Sequence, residues 1–210
     1  MSQISQALVE AFKEKAGLVA AKLSEAANMT EALLQVVEIC ANKTPCELLA
    51  PEEGTETGPL SENKLPTRAR RIIAAPDLDE ADFAQLAKAC EAKGFLCLRN
   101  GLRQYLAGID VGLVQSNLAV AASGTCVLDS TNEEIRLATM ICEDSVILLP
   151  KSAIRPDLAS IAEQVRDMQS SGEAMYTAFI TGPSRTADIE RVLALGVHGP
   201  LELHIILLEG

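Results

Sequence analysis

RRIIAAPDLDEADFAQLAKACEAKGFLCL, residues 70–98, decides the fold class. Arg71–Ala75 is a short apolar run that Pro76 ends, as a buried strand reads. Asp79–Lys93 follows with Phe83, Leu86, Ala87 and Cys90 at helical spacing, and Gly94 supplies the stop. Phe95–Leu98 is apolar again. Strand, helix and strand within thirty residues make a βαβ unit, which implies parallel pairing.

The alternation continues downstream. Short strands are expected over 109–114, 118–121 and 125–129, a helix over 132–141 and a buried strand over Ser145–Leu149. A helix over Pro156–Gln169, a strand over Tyr176–Thr181 and a last strand over Glu202–Leu208 complete the core. The expected class is therefore α/β, a mostly parallel sheet with helices on both faces and some hairpin pairing within 109–129.

Upstream, residues 4–27 place Ile4, Leu8, Ala11, Phe12, Leu18, Val19 and Leu23 at helical spacing. Asn28 with Glu31 reads as a capping pair for a second helix ending near Lys43. This predicts an N-terminal helical pair over 1–45, either an intramolecular cover or a partner-binding arm. APEEGTETGPLSENKLPT, residues 50–67, has no periodicity, so 46–69 reads as a surface loop or linker before a 70–210 core.

Composition narrows the function. Apolar residues make up 48% of the 210, enough for one sizeable core. A net charge of −11 and 3% aromatics argue against nucleic-acid binding and against an anionic membrane surface. The leaderless N-terminus and six cysteines without a Cys-x-x-Cys pair fit reduced, buried thiols in a cytoplasmic protein. Two histidines, His198 and His204, are too few for a dedicated histidine metal site, so no metal is expected.

The candidate site lies in ITGPSRTADIERVLALGVHGP, residues 180–200. A strand ending at Thr181 meets a Gly182-Pro183 turn, and Ser184 or Thr186 can cap a helix with Asp188 in its first turn. A helix N-terminus beside Arg185 suits a carboxylate or phosphate. In an open α/β sheet this point belongs beyond the carboxyl ends of the strands. Ser123-Gly124-Thr125 can arrive at the same edge, or can be a tight hairpin turn. The expected pocket is Ser123, Gly124, Thr125, Gly182, Ser184, Arg185, Thr186 and Asp188, with a small anionic ligand. A helix over 186–195 is about 14 Å long. It would put His198 and Gly199 at the opposite edge, as a second site or a structural turn.

Gly182–Glu190 and Gly196–Pro200 together resemble the signature of the LUD-domain family, within it the small lactate-utilisation proteins of the LutC/YkgG type. Ala121–Thr125 is a third, weaker match. The resemblance covers roughly residues 70–210. It implies a fold similar to the sugar-phosphate isomerase and CoA-transferase group. It also implies a part in oxidation of L-lactate to pyruvate beside partners carrying iron–sulfur clusters. This chain would bind no cofactor itself and would be an accessory or substrate-binding subunit; a homo-oligomer is compatible. An independent enzyme of that fold group and a non-catalytic assembly protein are the alternatives. Ala122 stands where the family has a glutamate, so any base or nucleophile at that position is lost.

Overall fold

The βαβ reading of residues 70–98 holds in detail. The computed structural model describes residues 3–48, 56–105, 107–170, 175–186, 194–195 and 199–209. In chain order the elements are α1 (Gln3–Leu18), β1 (Ala21–Ala26), α2 (Met29–Asn42), β2 (Thr57–Leu60), β3 (Pro66–Arg68), β4 (Ile72–Ala74), α3 (Glu80–Ala92) and β5 (Leu96–Leu98). Then come β6 (Ile109–Gln115), β7 (Leu118–Val120), β8 (Thr125–Asp129), α4 (Glu133–Met140), β9 (Cys142–Pro150) and β10 (Ile154–Arg155). Last are α5 (Ala162–Met168), β11 (Thr177–Ile180), β12 (Arg185–Thr186), β13 (Ala194–Leu195) and β14 (Glu202–Leu208).

Asp79 caps α3 by accepting the Asp82 N–H at 2.8 Å, and Gly94, at φ +73°, takes the left-handed conformation that ends it. β4 and β5 pair in parallel, Ile72 opposite Leu96. The main sheet has six strands, all parallel, in the order β1-β14-β9-β6-β4-β5. A second sheet, β10-β7-β8-β11, mixes parallel and antiparallel pairs, as the short strands around 109–129 foreshadow.

Both faces of the main sheet are buried, so its central strands are continuous apolar runs rather than alternating ones. Ile147, Leu149, Ile205 and Leu207 face the core shared with α1 and the second sheet. Val146, Leu148, Ile206 and Leu208 face the core under α2 and α3.

Two expectations need correction at the N-terminal side. The helix expected over 4–27 ends at Leu18, and Ala21–Ala26 is a strand paired in parallel with β14, Ala21 opposite Leu203 through Ala26 opposite Leu208. Its sequence, AKLSEA, has little strand propensity; the unpaired backbone of β14 dictates its conformation. Residues 1–45 are therefore no separate appendage, because β1 belongs to the main sheet. The capping pair does start α2: Asn28 accepts the Glu31 N–H at 3.0 Å, while Glu31 accepts from Ala27 N–H at 2.9 Å. The expected loop over 46–69 contains a hairpin, β2 with β3, whose Arg68 is buried and donates to the Gly108 carbonyl at 2.9 Å.

Candidate functional site

The helix expected over 186–195 is replaced at its ends by an antiparallel ladder, Arg185 opposite Leu195 and Thr186 opposite Ala194. A ladder returns the chain to its starting point, where a helix would carry it about 14 Å away. The two motifs therefore meet within one chain. The Ser184 N–H donates to the Pro200 carbonyl at 3.0 Å, and a Cβ placed on Gly199 would come 3.1 Å from Ser184 Cβ. Asp188 and His198 lie outside the described residues.

Ser123, Thr125 and Thr181 are linked by hydroxyl hydrogen bonds of 2.7 and 2.8 Å, so the two loops share an edge. It is not the carboxyl edge of the main sheet. Gly182 follows β11 of the second sheet, and this corner packs against the turn between α1 and β1. Gly124, at φ +65°, has the Ala16 backbone nitrogen 2.4 Å from where its Cβ would be, and Gly182, at φ +74°, has the Val19 carbonyl oxygen equally close. Both glycines admit the chain's own backbone, and the Arg185 guanidinium donates to the Val19 carbonyl. Ala122 is exposed on the turn, its N–H bonded to the Pro156 carbonyl at 3.0 Å.

A cavity of about 380 Å³ lies on the other side of Thr181–Ser184. Its walls are that segment, Ala178–Ile180, Gly199, Pro200, Leu203, Ser145 and the α4 side chains Arg136, Thr139 and Met140. Among the described residues, Ser123, Gly124, Thr125 and Arg185 do not line it. Its cation is Arg136, which sequence reading missed because no motif surrounds it. The Arg136 guanidinium donates to the Ser130 and Thr131 carbonyls at 2.5 and 2.7 Å and sits 4.6 Å from the Tyr176 ring centroid. Ser145 Oγ, deeply buried in this wall, has no hydrogen-bond partner among the described residues.

The amino edge of the main sheet is crowded with charge on its other face. Asp110, fully buried, accepts the Cys46 and Ile72 N–H groups at 3.0 and 2.8 Å and the Lys43 ammonium at 3.1 Å. Lys43 also reaches Glu143 at 2.6 Å. Next to them Asp144, Glu202 and His204 converge, with His204 Nε2 2.9 Å from Glu202. Burial pushes the Asp144 carboxyl up to about 6, with Glu202 and Glu143 adding to the rise and Lys43 opposing it. Burial also lowers His204, against the pull of Glu202, which keeps the imidazole neutral near pH 7.

At the carboxyl edge, the strand order reverses between β4 and β6, the crevice where α/β sheets bind ligands. A cleft of about 590 Å³ opens there, lined by Asp77, Gln115, Ser116, Asn117, Asp129 and Asn132 among others. Asp77 Oδ2 accepts the Gln115 N–H at 2.7 Å, while buried Oδ1 has no partner among the described residues. Burial pushes this carboxyl up to about 6. Its signal in the sequence is position alone, the loop leaving a parallel strand.

Comparison with known proteins bears on these sites. A family model described as LUD domain matches residues 9–208, so the similarity reaches far upstream of residue 70. YkgG of Escherichia coli K12, described as uncharacterized, is 38% identical over 101 residues, 47% of this chain and 44% of that protein. Lactate utilization protein C of Geobacillus thermodenitrificans is 37% identical over 95 residues, 44% of this chain and 40% of that protein. The aligned stretch thus spans less than half the length of these relatives. A crystal structure of a DUF162 family protein from Deinococcus radiodurans has the same fold, with a TM-score of 0.60 over 99% of both chains at 14% identity.

Proposed function

The chain belongs to the LUD domain family, and on that footing we propose that it serves lactate utilisation as a component that holds a small carboxylate. The observation that carries this reading is the cavity of about 380 Å³ between α4 and Thr181–Ser184, with Arg136 in its wall. A guanidinium matches a carboxylate in shape and charge, and the Ser184 hydroxyl in the same wall can orient a hydroxy or keto group beside it. The names of several relatives point to lactate. Redox chemistry belongs to partner proteins with iron–sulfur clusters in this reading. The six cysteines are free, and no three of them converge among the described residues. Exposed Met140 and Phe179 at the cavity wall give such a partner an apolar rim to cover.

Calorimetric titration with L-lactate and pyruvate tests this. Saturable binding is expected, weakened at least tenfold in Arg136→Ala and in part restored in Arg136→Lys, with thermal melts confirming that both variants fold. Absence of binding to the chain, both alone and with its iron–sulfur partners present, would end the proposal. The carboxyl-edge cleft favours a second reading, an independent enzyme that moves a proton through Asp77, whose raised carboxyl suits an acid–base role. Deuterium incorporation from solvent into a candidate hydroxy acid or sugar phosphate, lost in Asp77→Asn, is its signature.

A further inference from the structure

We infer that Asp144, Glu202 and His204 form a binding site for a divalent transition-metal ion, on the face of the sheet opposite the carboxylate cavity. The backbone fixes the three donors. Glu202 lies directly across the β9–β14 ladder from Asp144, and His204, two residues on, projects from the same face of β14. One oxygen from each carboxylate and one imidazole nitrogen all lie within 4.8 Å of one another. Tetrahedral ligation at the usual bond lengths needs donors roughly 3.4 Å apart. The His204–Glu202 pair, hydrogen-bonded at 2.9 Å, would open by about half an ångström to that spacing, and Asp144 would close in.

A second observation singles out Asp144. The residue is 5% exposed and lines a cavity of about 420 Å³, and its carboxylate makes no hydrogen bond or ion pair to any described residue. A carboxylate drawn out of bulk water without a hydrogen bond is costly, and the attraction of Lys43 and Lys22 reaches Asp144 only from beyond ion-pair distance, which leaves room for a closer cation. Asp110 and Glu143 are taken by Lys43, and Glu202 by the Lys22 ammonium. Lys22, Lys43 and Arg71, whose guanidinium donates to the Lys43 carbonyl at 2.7 Å, stand against the carboxylates Asp110, Glu143, Asp144 and Glu202, so the cluster keeps an excess of negative charge that favours a cation. Lys22 is a displaceable counter-charge, because its side chain is 58% exposed. The cavity leaves the remaining coordination positions open to water or a ligand. Two oxygens with one imidazole suit zinc, cobalt, manganese or ferrous iron better than calcium.

This inference does not rest on lactate. Ser145 and Leu203, which line the carboxylate cavity, point to the other side of the same strands. The test is titration of chelator-treated full-length protein with Co²⁺ and Zn²⁺, read by visible absorption and calorimetry. One ion per chain is expected, with a cobalt spectrum of oxygen–nitrogen ligation and no thiolate charge-transfer band. Affinity is expected to fall at least tenfold in His204→Ala and in Asp144→Asn, and to rise in Lys22→Met. Should His204→Ala fail to fold, His204→Gln and Lys22→Met carry the comparison. Unchanged affinity in these variants, a thiolate band, or no saturable binding would each overturn the site.

Discussion

The two edges of the main sheet both bury carboxylates, and they do it differently. At the amino edge Asp110 is held by two backbone N–H groups and a lysine, and that lysine ties it to Glu143. At the carboxyl edge Asp77 has one backbone N–H and a bare oxygen. The first arrangement repays desolvation with charge-assisted hydrogen bonds and pins the residue 43–46 connection to the start of β4. The second leaves a carboxyl pushed up to about 6, which costs stability and leaves reactivity.

Substitutions should separate the two. Asp110→Ala takes the acceptor from the Cys46 and Ile72 N–H groups and leaves Lys43 with Glu143 alone; a loss of about 3–5 kcal/mol is expected in urea denaturation. Lys43→Met leaves Asp110 its backbone donors and should cost less, about 2 kcal/mol. Asp77→Asn should go the other way, gaining about 1–2 kcal/mol at pH 7, because a neutral amide keeps the Gln115 acceptor without the buried charge. The sign follows from linkage. A carboxyl raised from 3.8 to about 6 binds its proton more tightly in the folded state, so its contribution falls as pH rises from 4 to 6. The advantage of Asp77→Asn over the parent should therefore grow across that interval and level off above pH 7. An equal response at Asp77 and Asp110 would erase the distinction between these two aspartates.

Most of the parallel core was legible because period and punctuation agree there. Glu202–Leu208 and the extent of α3 read directly from an apolar run, helical spacing and a terminal glycine. β1 was illegible because AKLSEA takes strand geometry from a neighbour 182 residues away in the chain, Ala21 pairing with Leu203. The Gly182–Pro200 motif was recognisable as a motif, but the ends of the expected helix form a ladder instead, its pairs ten and eight residues apart, because local capping chemistry also suits a turn. Gly182 permits close approach to the turn after α1, as Gly124, outside the motif, does to α1 itself. The donors Asp144, Glu202 and His204 come together through strand register, which residue spacing does not encode.

The position of β14 bears on how the chain folds during synthesis. β14 lies between β9 and β1, so the strand at residues 21–26 has no neighbour until residues 202–208 have been made. At ribosomal speeds of roughly 5–20 residues per second, that wait is on the order of ten seconds or more. During it, β1 and the apolar flank of β9 both present open edges, and contacts of such long sequence separation form slowly. The nascent chain therefore needs protection over that interval, and insertion of one late segment closes the sheet from both sides at once.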